Sequence, residues 1–143
     1  MDEILEHIKE VDKRSDCCLI FNTLEYVAKG GRIGKIQSLL GIILSIKPII
    51  GFREGTTTPL GKVRTHEQGL NFIITKIKED MERFKSNRIR SIIEDSDNSE
   101  WSNKAKERLE KEFTVDEIWQ TQVSAVSGTH IGPGCWGITY YCL

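Results

Sequence analysis

The amino-acid sequence predicts an α+β domain, a mixed or antiparallel sheet with helices packed on it. Three observations lead there. Stretches with apolar residues at helical spacing alternate with short continuous apolar runs. A hairpin pattern, Ile49 to Val63, sits among crossover helices rather than in a strand-only run. The chain carries no internal repeat and no low-complexity tract, which excludes a solenoid or a disordered chain.

The elements follow in order. Ile4, Leu5, Ile8 and Val11 repeat at helical spacing, so 2–13 reads as an amphipathic helix. Cys17 to Phe21 is a continuous apolar run, expected to be a buried strand. Thr23 is placed to cap a short helix containing Leu24, Tyr26, Val27 and Ala28, and Gly30-Gly31 ends it. Ile36, Leu39, Leu40 and Ile43 form the next helical face, and Pro48 blocks its continuation. Ile49 to Phe52 is a strand, Arg53-Glu54-Gly55 a turn, and Thr56 to Val63 an irregular or edge partner, because it tolerates Pro59.

Thr65 and Gln68 have the spacing of a capping box for a helix to about Lys85. Arg88 to Glu94 reads as a strand. Asp97 or Ser99 opens another helix, with Trp101, Ala105, Leu109 and Phe113 four apart. Glu117 to Val126 is β-like, Thr129 to Gly134 a loop, and Trp136 to Tyr141 a terminal strand. Glu94 to Ser102 is the expected mobile surface loop.

Composition narrows the function. At 143 residues the chain is one domain long and needs neither disulfide nor metal to hold a core. Twenty Lys and Arg nearly cancel 21 Asp and Glu, so attraction to nucleic acid or an anionic membrane is not expected. The longest apolar run, Leu39 to Ile46, is broken by Gly41 and Ser45 and is too short to span a bilayer. The acidic start Met1-Asp2-Glu3 is unlike a secretory signal. The cysteines Cys17, Cys18, Cys135 and Cys142 show no metal spacing, and free thiols in a reducing cytoplasm are expected.

Three segments resemble one family. The run Asn22-Thr23-Leu24-Glu25-Tyr26-Val27-Ala28-Lys29-Gly30-Gly31-Arg32-Ile33 resembles the DegV pattern L-x-Y-L-x-K-G-G-R-I. Ser45 to Ile50, followed by Gly61-Lys62-Val63-Arg64, resembles its I-K-P-I-L and K-x-R signatures. Gly128-Thr129-His130-Ile131-Gly132-Pro133-Gly134 resembles its closing H-x-G-P-G loop. The resemblance implies the second of two lobes in a bacterial fatty-acid-binding protein. Residues 1–16 would then be a linker helix from the first lobe, and 17–143 the C-terminal-type lobe. In the family the first lobe supplies a hydroxyl-bearing residue for the carboxylate and much of the tunnel for the acyl tail, and neither can be placed in this chain.

The same resemblance implies the roles of particular residues. His130 would contact the carboxylate of a long-chain fatty acid, with Gly132, Pro133 and Gly134 as its supporting loop. An imidazole there can donate a hydrogen bond to a carboxylate or carry a charge that binds one. The bland alternative is a histidine satisfied by loop carbonyls. Arg32 and Arg64 would belong to the surface that meets a fatty-acid kinase, guanidinium being suited to carboxylates and phosphates. Otherwise they are solvated charges. No cofactor and no metal is expected. A homodimer, or association with a separate first lobe, is the alternative to lipid binding.

Other readings fare worse. Gly30 to Lys35 is not a phosphate loop: counted back from Gly34 the first position is Lys29, and Ile36 rather than Ser or Thr follows Lys35. A catalytic role for His130 lacks a nucleophile or carboxylate at recognisable spacing, Asp95 and Asp97 reading as loop caps. The helix around Leu39, Leu40, Ile42, Ile43, Leu44 and Ile46 is apolar on more than one face and is either buried on most sides or lines the lipid cleft. Trp101, Trp119 and Trp136 are core or interface residues, with Trp136 placed to pack on a bound chain or an opposing lobe. His7 and His66 are assigned no role.

Overall fold

A computed structural model of the chain describes residues 1–31, 46–53 and 55–143. The helical face predicted around Leu39, Arg32 with it, lies outside the described residues. A six-stranded sheet runs in the order β3-β2-β1-β6-β4-β5. It consists of β1 (Ser15–Ile20), β2 (Lys47–Arg53), β3 (Thr56–Val63), β4 (Ile89–Ser96), β5 (Val115–Gln122) and β6 (Cys135–Cys142). Neighbours are antiparallel except β4 and β5, which are parallel and therefore need the crossover helix between them. The α+β architecture with a mixed sheet is the predicted one.

Alternation along each strand divides the apolar residues between two faces. Cys18, Ile20, Ile49, Ile93, Trp136 and Ile138 point to one face, beneath α3 (His66–Phe84) and α4 (Ser99–Glu112). There they meet Ile73, Ile77 and Leu109. Each fully buried side chain of this kind contributes about 2 kcal/mol, so this larger cluster carries most of the fold's stability. Leu19, Phe21, Ile50 and Cys135 point the other way and meet Leu24 and Val27. This second face is covered at one end by α2 (Glu25–Lys29) and α5 (Ala125–Ile131), whereas Phe52, Ile92 and Trp119 stay exposed. The helix α1 (Asp2–Arg14) buries no residue, and Ile4, Leu5 and Ile8 lie open on it. It is held at its C-terminal end, where the Arg14 guanidinium donates to the Cys142 carbonyl at 3.2 Å.

Several local predictions hold in detail. Thr65 Oγ1 accepts from the Gln68 N–H at 3.1 Å, and Gln68 Oε1 accepts from the Thr65 N–H at 3.4 Å, completing the capping box. β3 is an edge strand, as Pro59 requires, and Leu60 is the extra residue of a bulge opposite Ile49 and Ile50. Others need correction. Glu94 to Ser102 is not a loop: it comprises the end of β4, a two-residue corner and the first turn of α4, with Ser102 fully buried. Thr23 stands one residue before the helix cap Leu24, and its hydroxyl accepts from the Glu25 N–H at 3.2 Å. β5 ends at Gln122 instead of Val126, because the Ser124 side chain accepts from the Ser127 N–H and starts α5. Consequently His130 lies on a helix and not in a loop. All four cysteines are free, and burial pushes the Cys18 thiol up to about 12.

Candidate functional site

His130 occupies the last turn of α5. The helix starts at the Ser124 cap and is closed by Gly132, whose N–H donates to the Gly128 carbonyl at 3.0 Å. Gly132 has φ +72, a conformation that side chains rarely adopt, and Pro133 follows it, so the helix cannot continue. Proline and glycine thus end α5 directly after His130-Ile131 and leave the imidazole at the helix terminus.

Residues from two of the resembling segments meet around it, and Lys47 of the third bonds to one of them. A methyl group on Gly30 would overlap Nδ1 of His130, so only glycine lets the end of α2 lie against the imidazole. A methyl group on Gly132 would likewise overlap the Tyr26 ring. Two helices of five and seven residues are therefore held together by large rings seated on glycines, His130 on Gly30 and Tyr26 on Gly132. Asn22 joins the rest: its side chain packs on Gly134, while its Oδ1 accepts from Lys47 Nζ at 2.6 Å. His130 is half-buried, and its Nδ1 is buried with no hydrogen-bond partner among the described residues.

The other named residues are placed as follows. Gly132 is buried, Pro133 exposed and Gly134 intermediate. Arg64 is exposed, and its guanidinium forms no ion pair among the described residues. Trp136 does not reach outward to a ligand or another lobe. It is fully buried because alternation along β6 turns it toward α3 and α4.

Sequence reasoning missed two features here. His66 has a structural role, since its Nδ1 accepts the Trp136 indole N–H at 2.9 Å and its ring stacks on Trp101 at 5.3 Å. Burial, assisted by the nearby Lys47 ammonium, lowers its pKa to about 4. The second is the link from the corner between β4 and α4 to Gly134, Asp95 itself being the loop cap the sequence predicts. There the buried Asp95 carboxylate accepts the Asn98 N–H at 3.0 Å, and Asn98 Nδ2 donates to the Gly134 carbonyl at 2.8 Å. The Asp-x-x-Asn spacing was the available signal.

A charged cluster lies elsewhere, beside a cleft of roughly 540 Å³ near the end of α1. Asp16, 5 % exposed in its side chain, accepts from Arg53 at 2.5 Å and pairs with Lys76 at 2.8 Å. Lys76 also pairs with Asp80, which accepts the Tyr140 hydroxyl at 2.5 Å. Every member of the cluster has a partner, which marks it as a tie between β1, β2, α3 and β6. Among the described residues no group of three or more His, Cys, Asp or Glu could hold a metal ion, and no helix is long and apolar enough to cross a membrane.

Known proteins share both the pattern and the fold. The family model described as "Uncharacterised protein, DegV family" matches residues 1–142. The chain belongs to the DegV family. A DegV domain-containing protein of Clostridium acetobutylicum is 30 % identical over 141 residues, which are 99 % of this chain and 48 % of that protein. A protein of Thermotoga maritima named a fatty acid-binding protein is 29 % identical, with 96 % of this chain and 48 % of its own length covered. The solved structure of a fatty-acid-binding DegV protein from Thermus thermophilus superposes with a TM-score of 0.90 at 26 % identity, covering 100 % of this chain and 51 % of that one. The chain therefore spans about half the length of these DegV relatives.

Proposed function

We propose that this chain is the part of a DegV-type fatty-acid carrier that grips the carboxylate of a long-chain acid. The observation that carries the reading is the His130 imidazole, held half-buried at the end of α5 with one edge against Gly30, in a family whose members include named fatty-acid-binding proteins. A carboxylate is the kind of group that an imidazole N–H binds. Gly132, Pro133 and Gly134 support the imidazole by ending α5 where they do. The carrier does no chemistry of its own. It shields an apolar tail and offers the head group to a fatty-acid kinase, for which Arg64 and Arg32 supply a cationic docking surface. Residues 1–16 act as the linker toward a first lobe, and 17–143 as the second lobe.

The test is native mass spectrometry of the protein purified from bacteria, followed by extraction and identification of any released acid. Co-purified long-chain acid that is lost or weakened in His130→Ala supports the carrier. A protein that carries no acid and takes none up from a fatty-acid solution defeats it.

One observation favours a second reading. Ile4, Leu5 and Ile8 form an exposed apolar stripe on α1, and Phe52, Ile92 and Trp119 are exposed on the sheet. Surfaces of this kind mark interfaces. On this reading the chain pairs with itself or with a separate first lobe and binds no lipid, and a lipid-free dimer in the same spectrum would identify it.

A further inference from the structure

The segment that carries His130 is an excursion from the sheet, leaving at Val123 and returning at Gly134. Both ends are tied to one corner. At the start, the Val123 N–H donates to the Asp95 carbonyl at 3.0 Å. At the end, the Gly134 N–H donates to the Ser96 carbonyl at 2.6 Å, and Asn98 Nδ2 donates to the Gly134 carbonyl at 2.8 Å. The corner is itself closed by the buried Asp95 carboxylate, which accepts the Asn98 N–H at 3.0 Å. Asp97, between them, has φ +57, a left-handed conformation that aspartate adopts more readily than most side chains and that suits a tight corner.

We propose that Asn98 is a positioning residue for the head-group site, acting through Gly134 on the placement of His130. A short helix of seven residues cannot hold a side chain in register by itself. On one flank α5 is set by Gly30 and Tyr26 of α2. At its base the clamp to Asp95, Ser96 and Asn98 fixes where the excursion begins and ends. Of these base contacts, the bond from Asn98 Nδ2 to Gly134 is the one made by a removable side chain. Without it the Gly132-Pro133-Gly134 stop can shift, and the imidazole with it. Asn98 itself touches no ligand. Its importance for carboxylate binding rests on the carrier reading, whereas its effect on His130 does not.

The experiment compares Asn98→Ala with Asn103→Ala, using the full chain without ligand. Asn103 lies on the same helix and bonds Gln120 at 2.7 Å, away from Gly134, so it controls for a general weakening of α4. The readout is the imidazole carbon–proton NMR signals of the three histidines, with His130 assigned by its loss in His130→Ala. N98A is expected to move the His130 signals and leave those of His7 in place, while N103A moves neither. Where the parent binds palmitate, N98A is expected to weaken it about five-fold, the equivalent of one hydrogen bond. His130 signals unchanged in N98A, or moved equally by N103A, overturn the proposal. Absence of palmitate binding by the parent defeats the carrier reading instead, and the signals still decide the role of Asn98. Should N98A not fold, the parent decides: slowed exchange of the Asn98 side-chain amide supports the contact, and exchange at the solvent rate overturns it.

Discussion

The indole N–H of Trp136 is bonded to Nδ1 of His66 at 2.9 Å, inside the layer between the sheet and α3. This bond requires an unprotonated Nδ1, and burial keeps His66 neutral by pushing it down to about 4 from the usual 6.5. His66→Ala leaves a buried donor unmet and should cost about 1–3 kcal/mol in urea denaturation. His66→Gln keeps an acceptor and should cost less. The folded state disfavours the proton that the unfolded chain accepts. The contribution is therefore complete above about pH 6.5 and declines as pH falls toward 4. A parent protein whose stability does not decline more steeply over that window than His66→Gln contradicts this account.

Gly30→Ala tests the packing of α2 against α5. In most helix ends the change is mild, but here the added methyl would overlap His130. The expected loss is about 1–3 kcal/mol, accompanied by displaced His130 signals in NMR. Gly31, with φ +68 and open space beside it, should behave differently. Gly31→Ala should lower stability by about 1 kcal/mol through backbone strain alone and leave His130 unmoved.

Asp16 is the centre of the charged tie. Burial would raise its carboxyl, but hydrogen bonds from Arg53 and Lys76 outweigh that and hold it below the ordinary 3.8. Stability from this group is present above that value and is lost as pH falls through the depressed one. Asp16→Asn leaves the half-buried Lys76 with Asp80 as its one carboxylate partner among the described residues. Because Arg53 is 44 % exposed, solvent screens part of the effect, and about 1–3 kcal/mol is expected by thermal melting. A change below about 0.5 kcal/mol would show the pairing to be incidental.

Replacing Ile4, Leu5 and Ile8 with serine separates folding from assembly. None of the three is buried, so the melting temperature should hardly change. Light scattering should report any dimer of the parent reverting to monomer in the triple variant. A dimer that persists places its interface elsewhere, with the open sheet around Trp119 the next surface to alter.

Much of this architecture could be read from the residues because it depends on local rules. Ile4, Leu5, Ile8 and Val11 mark a helix whatever lies beside it. Thr65 and Gln68 satisfy each other within one turn. Pro59 restricts β3 to an edge. The errors arose where distant contacts decide the structure. Glu94 to Ser102 looks polar and loop-like, yet its carboxylate and amides are bonded within a buried corner and to Gly134. Thr129 and His130 read as loop because of the glycines that follow, but Ser124 had already begun a helix. His66 looked idle, since its partner is 70 positions away. Around His130, the motifs contained Gly30, Tyr26 and Gly132 but not the way these pack together. That Gly30 is glycine because His130 lies against it becomes visible only once α2 and α5 are paired in space.

The strand order has a consequence for how the chain comes together. β6, the last strand in chain order, lies between β1 and β4, and pairs Cys17 with Thr139 and Ile93 with Ile138. During synthesis its two neighbours emerge first and must wait, each with an uncovered edge, until the final strand leaves the ribosome. Such long-range closure slows folding and lengthens exposure to misassembly. Removing β6 would therefore do more than shorten the sheet: it would divide the strands into two groups with no strand pairing between them, leaving only the packing of α3 and α4 to hold them together.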